Sequence, residues 1–404
     1  MGRSLRIRVS TVVLSVLLAR PVEFVIAQCA ASPLPVALFG KAERRTERLS
    51  FTHPQVTLPK PGSAYIRVRL RVEGHHSCSW MVIIRDERLR PTQTLGPEDF
   101  VASHFRWTNL VEGSELTVEM RSCSSEPMMT LALDRLVSMP ATAEGSPETS
   151  DARDRKELYD KSGLLDKEPS RLIAGDVVGL LMVSSDNPLA AWTCSGFMLT
   201  DTLFLTNWHC GAPSENPRTA PEKDFWTEDV IQNAIVDLSW DTGHLSREFQ
   251  VTKVEQTSKL LDFALLRVTP LGKQSPVPAG TLANWVPSTG DHVFVIHHPL
   301  AMKKQYSAAC RVGIGMPHLF ENWVDSKQST DFTHDCTTDA GSSGAPVFSK
   351  DGEIIGLHHL GYDFDPDSCE IRSENKAVSI SELLRAVKPE LLKGVVIHTK
   401  GRGP

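Results

Sequence analysis

The chain has 404 residues, of which 41% are hydrophobic and 23% are charged. This balance supports sizeable hydrophobic cores and excludes a disordered or fibrous protein, and the length predicts two domains. Lys and Arg number 43 against 49 Asp and Glu, so the formal net charge is −6. Because no basic stripe is available to meet a phosphate backbone, the composition argues against nucleic-acid binding.

The N-terminus has the pattern of a secretory leader. Arginines among the first eight residues precede an apolar run over 12–19, and small residues follow up to Ala27. This pattern predicts a signal peptide over residues 1–27 and a protein secreted to the extracellular space or the periplasm. A membrane anchor is the alternative, but the apolar run is short for a span and Arg20 ends it. We expect no membrane contact after the leader is removed, and an oxidising compartment in which cysteines pair.

Residues 28–140 are predicted to form a β-sandwich that serves as an accessory domain or a pro-domain. Along residues 66–72, apolar side chains alternate with arginines, which is the period-two pattern of a half-buried strand. Cys78 and Cys123 lie at strand edges, where a disulfide between them would join two sheets. Three aromatic residues belong either to the core of this domain or to a face that contacts a glycan or another surface: Trp80, Phe105 and Trp107.

A polar, turn-rich linker is predicted over residues 141–170, before a second domain over 171–404. The second domain consists of short apolar runs separated by turns, so the chain as a whole is predicted to be all-β. One short helix is expected near the end. There Ser379 and Glu382 have the spacing of a capping box, and apolar residues recur with helical period over 380–387.

Three segments of the second domain carry residue types suited to catalysis. The first is a predicted hairpin between Cys194 and Cys210 that ends in His209, and a disulfide between its cysteines would fix the segment that carries the imidazole. The second segment places Asp262 at the start of an apolar strand. The third places Ser343 on a tight, glycine-flanked loop that leads into another strand.

Together these residue types suit a hydrolytic triad. A serine hydroxyl becomes a nucleophile when an imidazole takes its proton, and a carboxylate on the other ring nitrogen fixes the tautomer of that imidazole. We therefore predict Ser343 as the nucleophile, His209 as the base and Asp262 as the orienting acid. The alternative acids are Asp237 and Asp241.

The glycines around the nucleophile predict an oxyanion hole. They let backbone N–H groups turn toward the reacting carbonyl, and the amides of Gly341 and Ser343 are predicted to serve in this way. An α/β-hydrolase is the alternative fold for a nucleophilic serine. That fold would require a glycine where this chain has Ala345. It would also require the chain order serine, acid, histidine, whereas the order here is histidine, acid, serine, so we do not favour it.

The three segments resemble the signature blocks of trypsin-like serine peptidases with the chymotrypsin fold. The family's order of histidine, aspartate and serine is kept by Thr206-Asn-Trp-His209-Cys210, by Asp262-Phe-Ala-Leu-Leu and by Gly341-Ser-Ser-Gly-Ala-Pro. The resemblance extends over about residues 172–390. It implies two six-stranded antiparallel β-barrels with a short C-terminal helix, and a serine endopeptidase that acts on protein or peptide substrates through an acyl-enzyme, without a cofactor.

Departures from the animal trypsins point to the bacterial-type branch of this family, which contains lysyl and glutamyl endopeptidases. Ser342 stands where activatable trypsins carry an aspartate that captures a newly cut N-terminus. The resemblance therefore does not imply activation by a cut after Arg171. The His297-His298-Pro segment and the Gly356-Leu-His358-His359 segment are similar to segments of the bacterial-type branch.

The resemblance also implies a pocket for the P1 side chain of the substrate. Its positions fall on Thr337, Thr338 and His358, and glutamyl endopeptidases bind an acidic P1 residue with a threonine and a histidine at the last two. A basic P1 residue remains the alternative. Lysyl endopeptidases take an acid from the loop that here contains Asp363, Asp365 and Asp367.

Cys310 and Cys336 resemble a disulfide pair of the same branch, which leaves Cys29 and Cys369 to pair by elimination. Neighbouring histidines on a strand point to opposite faces, so such pairs seldom ligate one ion, and we predict no metal. The rival interpretation is a catalytically silent homologue that acts as a binding protein, against which the intact triad argues.

Overall fold

The computed structural model describes residues 40–74, 79–100, 105–122, 129–140, 155–157, 173–186, 189–213, 220–241, 247–272, 276–313, 330–360, 363–364, 371–372 and 375–399. The predicted signal peptide lies outside these residues, as do most of the predicted linker and the cysteines at 29, 78, 123 and 369.

The N-terminal part consists of two antiparallel sheets. Their strands are β1 (Lys41–Arg44), β2 (Arg48–Leu49), β3 (Gln55–Pro59), β4 (Ser63–Gly74), β5 (Trp80–Arg85), β6 (Pro91–Leu95), β7 (Phe105–Trp107), β8 (Val111–Glu112), β9 (Glu115–Ser122) and β10 (Met129–Pro140). One sheet has the order β1-β10-β4-β7, with β2 paired to β10 and β8 to β4, and the other has the order β3-β9-β5-β6. Both sheets contribute to one hydrophobic cluster, in which Ile66 and Leu133 meet Val82 and Val118. The predicted sandwich boundaries, 28–140, extend into residues 28–39, which the structure does not describe.

A closed six-stranded barrel follows in the chain. The next strands are β11 (Arg155–Glu157), β12 (Val178–Asp186), β13 (Leu189–Met198), β14 (Leu203–Thr206), β15 (Ile235–Asp237), β16 (Glu248–Ser258) and β17 (Phe263–Pro270). The barrel is formed by β12-β13-β14-β17-β16-β15, which confirms one of the two barrels that the sequence predicts. Its interior is filled by a cluster that includes Trp192, Phe204 and Phe249.

Ten further strands follow, and eight of them form a nine-stranded sheet with β11. The ten strands are β18 (Thr281–Ala283), β19 (His292–His297), β20 (Gln305–Arg311), β21 (Asp331–His334), β22 (Pro346–Ser349), β23 (Ile354–Leu360), β24 (Asp363–Phe364), β25 (Ile371–Arg372), β26 (Asn375–Ser379) and β27 (Val396–His398). The sheet runs β11-β20-β19-β22-β23-β18-β27, and β26 joins β23 to β21, whereas β24 and β25 pair with each other. Pairing among the described residues does not close this sheet, so the second barrel stays a prediction. β11 lies inside the predicted linker and pairs with β20, so that segment is in part structured.

The helices are short. Two have described bounds, α1 (Glu228–Gln232) and α2 (Ile380–Ala386), and residues 173–175 are also helical. 3-10 turns lie at Pro97–Phe100, His209–Gly211, Glu222–Asp224, Pro299–Ala301 and Pro389–Leu392. α2 is the predicted C-terminal helix, and its apolar face packs Ile380 and Leu383 into the core. The capping-box expectation was wrong, because the Ser379 side chain caps no backbone amide and bonds instead to Ser381 Oγ at 2.9 Å. No helix among the described residues is long and apolar enough to cross a bilayer.

The N-terminal sheets are docked on the barrel. A shared cluster packs Tyr65 and Trp107 from the first part against Leu180 and Trp240 from the second. Arg67 of β4 is buried at this contact, although strand alternation predicted a solvent-facing arginine, because barrel carboxylates pair with it. The second face of β4 is therefore covered by protein at Arg67.

Candidate active site

The hairpin of β13 and β14 holds His209. After β14 the chain turns through a short 3-10 segment that begins at His209, and a disulfide joins Cys194 of β13 to Cys210. The indole of Trp192 donates a hydrogen bond to the Cys210 carbonyl oxygen at 2.8 Å, so the residue after the histidine is fixed from two sides. The His209 side chain is fully buried, which sets the imidazole in one place. The predicted disulfide is confirmed.

Asp262 faces this imidazole. Its Oδ2 lies 2.7 Å from His209 Nδ1, and its Oδ1 accepts a hydrogen bond from the His209 backbone N–H at 3.0 Å. Asn207 donates to the Asp262 carbonyl oxygen at 2.8 Å, and Asp262 itself adopts a left-handed backbone with φ of 43°. The carboxylate therefore holds a proton on Nδ1 and leaves Nε2 as the proton acceptor.

Asp262 stays ionised in spite of its burial. Burial raises the pKa of a carboxyl group, but the imidazoles of His209 and His359 outweigh it and hold the pKa of Asp262 below its usual range. Asp237, one of the alternative acids, accepts bonds from Ser239 and lies 3.8 Å from Arg67 at the domain contact. Asp262 is thus the acid that the fold brings to the histidine.

The loop that carries Ser343 is hydrogen-bonded to the hairpin. The Ser195 backbone N–H donates to the Ser343 carbonyl oxygen at 2.7 Å, and Ser195 Oγ donates to the Gly341 carbonyl oxygen at 2.9 Å. Gly341 and Gly344 have φ of 91° and 87°, which favours glycine. A Cβ on Gly344 would also lie 2.2 Å from the Ser195 carbonyl oxygen. The glycines that the sequence analysis singled out are therefore required by this close approach.

Two backbone amides of this loop are candidates for binding an anion. Within the described part of the chain, the N–H groups of Gly341 and Ser343 donate to no backbone acceptor, whereas the N–H of Gly344 bonds to the His358 carbonyl oxygen at 2.7 Å. Such N–H groups, available beside a serine, suit the stabilisation of a developing oxyanion.

Comparison with known proteins identifies the segment that contains this site. Residues 194–357 match the family model described as the trypsin-like peptidase domain. Residues 194–357 are thus similar to that domain, and we refer to the part of the chain around them as the trypsin-like domain. The matched segment spans about two fifths of the chain and includes His209, Asp262 and Ser343.

Solved structures similar to the chain include the Rv3671c protease from M. tuberculosis. Its active form is 18% identical and has a TM-score of 0.38, over 58% of this chain and 88% of that chain. Its inactive form is also 18% identical and has a TM-score of 0.36, over 54% of this chain and 90% of that chain.

Ser342 of the trypsin-like domain is fully engaged by its own surroundings. Its Oγ lies 2.7 Å from His297 Nδ1 and accepts a hydrogen bond from the Asp339 backbone N–H at 3.0 Å. The position that would bind a new N-terminus in activatable trypsins is here a neutral side chain with local partners. This geometry gives a freshly cut N-terminus no carboxylate to meet at this position.

The predicted P1 residues lie in different surroundings. His358 is buried, and its Nδ1 lies 3.2 Å from His334 Nε2, while burial and neighbouring imidazoles lower the pKa of His358 well below its usual value. Thr338 bonds to Asn375 at 2.5 Å, and the Thr337 carbonyl oxygen accepts from Ser307 at 2.8 Å. No hydrogen bond joins Thr338 to His358 among the described residues.

Of the other predicted residues, two cysteines form the expected disulfide, and two acidic residues lie outside the described part of the chain. Cys310 and Cys336 form a disulfide. The alternative acids Asp365 and Asp367 lie outside the described residues, and Asp363 is described only as part of β24. Three side chains of metal-binding type come together in the described part of the chain, Cys194, His209 and Cys210, but the two cysteines are joined to each other and offer no thiolate.

Two residues near the triad, His359 and Asp331, were not predicted to contribute to the site. His359 Nδ1 lies 3.2 Å from Asp262 Oδ2, and His359 Nε2 lies 3.0 Å from Asp331 Oδ2. The available signal was the pair of adjacent histidines at positions 358 and 359. His358 faces His334, whereas His359 faces Asp262 at a register shift of the strand.

Proposed function

We propose that the protein is a secreted serine endopeptidase that uses Ser343, His209 and Asp262 as a catalytic triad. The observation that carries this proposal is the buried His209–Asp262 pair, with 2.7 Å between Nδ1 and Oδ2. The loop of Ser343 is hydrogen-bonded to the same hairpin through Ser195, at 2.7 Å. Membership of these residues in the segment that matches trypsin-like peptidases supports the same reaction.

The reaction proceeds through an acyl-enzyme. Ser343 Oγ attacks the carbonyl carbon of the scissile bond while His209 Nε2 takes the hydroxyl proton, and the negative charge on the carbonyl oxygen is stabilised by the amides of Gly341 and Ser343. The C–N bond then breaks, and the leaving amine receives the proton from His209. Water repeats the sequence, which releases the carboxylate product and restores the Ser343 hydroxyl.

The substrate proposal favours an acidic P1 residue bound by His358 and Thr338, with a basic P1 residue bound by the 363–367 loop as the alternative. His358 is neutral at neutral pH because burial lowers its pKa. A substrate carboxylate beside it would raise that pKa again, since an opposite charge favours the protonated imidazole. Binding of an acidic side chain should therefore be coupled to proton uptake, and cleavage of such substrates should be favoured at lower pH.

The proposal also assigns roles to the leader and to the N-terminal domain. The leader over residues 1–27 directs secretion, and the part over 28–140 is a separate domain that stays docked on the trypsin-like domain. The buried contact of Arg67 with Glu248 supports this docking, because a removable pro-domain would leave these charges unpaired.

A serine-directed fluorophosphonate probe tests the proposal on the secreted protein. We expect labelling of the wild type, loss of labelling in Ser343→Ala, and retained labelling in the neighbouring Ser342→Ala, whose hydroxyl is bound to His297. Absence of labelling in the wild type would support the silent homologue. Labelling that survives in Ser343→Ala would assign the nucleophile elsewhere. Cleavage of a peptide library by a separate, unlabelled sample of the wild-type protein then reports the P1 preference.

A further inference from the structure

A second imidazole lies behind the catalytic acid. Oδ2 of Asp262 is approached by His209 Nδ1 at 2.7 Å and by His359 Nδ1 at 3.2 Å. The other ring nitrogen of His359 lies 3.0 Å from Asp331 Oδ2, and the second oxygen of Asp331 accepts from Thr330 Oγ1 at 2.8 Å. The three side chains beyond His209 are all nearly inaccessible: Asp262 at 1%, His359 at 3% and Asp331 at 5% exposure.

The fold brings this row together from separate strands. His359 lies on β23 and Asp331 on β21, and β26 pairs with both. Asp331 is opposite Val378 of β26, which in turn is opposite Leu357 of β23. The pairing of β23 with β26 shifts register between His358 and Leu360, so His359 lies at an irregularity of the strand. The row of carboxylate, imidazole, carboxylate and imidazole is thus set by strand register.

The geometry requires a charged His359. Each ring nitrogen faces a carboxylate oxygen, and only the protonated ring donates from both nitrogens. Burial alone would lower the pKa of His359, but Asp331 and Asp262 raise it to about 9. The other titratable groups of the packed elements are the imidazoles of His209, His334 and His358 and the ammonium of Lys376 on β26.

We propose that His359 and Asp331 are positioning residues for the catalytic triad, which hold Asp262 ionised and oriented toward His209. The proposal rests on the proposed function. The positive charge of His359 offsets the cost of burying the Asp262 carboxylate, and the Asp331 carboxylate compensates the positive charge of His359. The three side chains together therefore carry one negative charge beside His209. Each carboxylate then accepts one hydrogen bond from the same ring, which fixes the orientation of Asp262 as well as its charge.

Removal of the outer carboxylate should change both charge and orientation. In Asp331→Asn the ring loses one of its two anionic partners, so His359 releases its proton at a lower pH. The protonated His359 ring holds Asp262 in place at a pH below the pKa of His359, and this effect is lost as the pH rises through that pKa. We therefore expect kcat to fall about tenfold to a hundredfold at pH 8, with little change in KM. We also expect the alkaline limb of kcat/KM to move at least one pH unit downward.

Two measurements on the full chain test the proposal. NMR of histidine-labelled protein should show His359 protonated at pH 7 to 8 in the wild type and titrating at lower pH in Asp331→Asn. Kinetics of both proteins should show the shift of the alkaline limb. Asp335→Asn is the matched control, because Asp335 follows β21 and is exposed, and among the described residues its carboxylate accepts a hydrogen bond only from the Arg311 backbone N–H. The control should match the wild type.

The outcomes separate the two proposals. A wild type without hydrolysis or probe labelling would overturn the proposed function, and this inference with it. An active wild type whose kcat and alkaline limb are the same in Asp331→Asn and Asp335→Asn would overturn the inference alone, as would a neutral His359 at pH 7. If Asp331→Asn does not fold, His359→Asn replaces it, and the expected result is the same loss of kcat with no titration near pH 9.

Discussion

Arg67 of the N-terminal sheets and Glu248 of the barrel form an ion pair of 2.5 Å in which both side chains are almost fully buried. The guanidinium also donates to the Thr108 carbonyl oxygen at 3.2 Å, and the Leu110 backbone N–H donates to Glu248 Oε1 at 3.1 Å. The charges of each part are therefore satisfied only when the two parts are docked. This pairing makes the N-terminal part a contributor to the stability of the trypsin-like domain.

Loss of the buried cation should destabilise the protein strongly. Arg67→Met keeps most of the side-chain volume but leaves Glu248 and Asp237 buried without their cation, and we expect the free energy of unfolding to fall by about 3–5 kcal/mol. Denaturant unfolding of the variant measures this change. Arg71→Met is the control, because its side chain is 45% exposed and its pairs with Glu73 and Asp134 should contribute less than about 1 kcal/mol. Equal losses in the two variants would contradict the prediction.

The carboxyl group of Asp237 should make stability depend on pH. Burial and the neighbouring Glu248 raise its pKa to about 7 although Arg67 opposes them, whereas the ordinary value is 3.8. The folded state thus binds a proton that the unfolded state has released, and this contribution to stability is lost as pH rises from about 4 to about 7. Asp237→Asn should gain stability relative to the wild type at pH 8 but not at pH 4.

Unfolding curves at pH 4, 6 and 8 check this prediction for Asp237. The hydrogen bonds that Ser239 donates to Asp237 Oδ1 can be retained by the asparagine oxygen, so the variant changes charge more than geometry. A stability difference between variant and wild type that is the same at all three pH values would show that the carboxyl group titrates normally.

Much of the site followed from the sequence because its signals are local. The hairpin cysteines, the residues flanking Ser343 and the strand after Asp262 each specify their own neighbourhood, and the fold then brings the three segments together. Arg67 was misread because alternation reports which side chains share a face but not whether a second domain covers the other face. Asp331 could not be found, since its role depends on the register of β26 between two strands.

The His209–Asp262 pair predicts a large kinetic effect of a small change. In Asp262→Asn the side chain keeps its shape, but an amide no longer holds the proton on His209 Nδ1, and the wrong tautomer faces Ser343. We expect kcat to fall by about four orders of magnitude with KM within a few fold. Steady-state kinetics on one peptide substrate measure the change. A loss below about tenfold would mean that another acid orients the imidazole.

His358 predicts a selective effect on substrate choice. In His358→Ala an acidic P1 side chain would enter the pocket without a partner, so kcat/KM for peptides with P1 Glu should fall at least about a hundredfold, and much more than for peptides with a neutral P1 residue. Matched peptides that differ only at P1 provide the measurement. An even loss over all P1 residues would make His358 structural, and a wild-type preference for Lys would favour the loop that contains Asp363.

Ser195 connects the hairpin with the second sheet through its backbone N–H and its hydroxyl group, while its carbonyl oxygen bonds within the hairpin. Its N–H and Oγ–H bind carbonyl oxygens of the nucleophile loop, its Oγ accepts from the His298 backbone N–H at 2.9 Å, and its carbonyl oxygen accepts from Thr206 Oγ1 at 2.8 Å. The shape of the Ser343 loop therefore depends on the hairpin that carries His209. If Ser343 is the nucleophile, as proposed, a chain in which this hairpin has not formed lacks these contacts, and we expect hydrolytic activity to arise only once the two parts have come together.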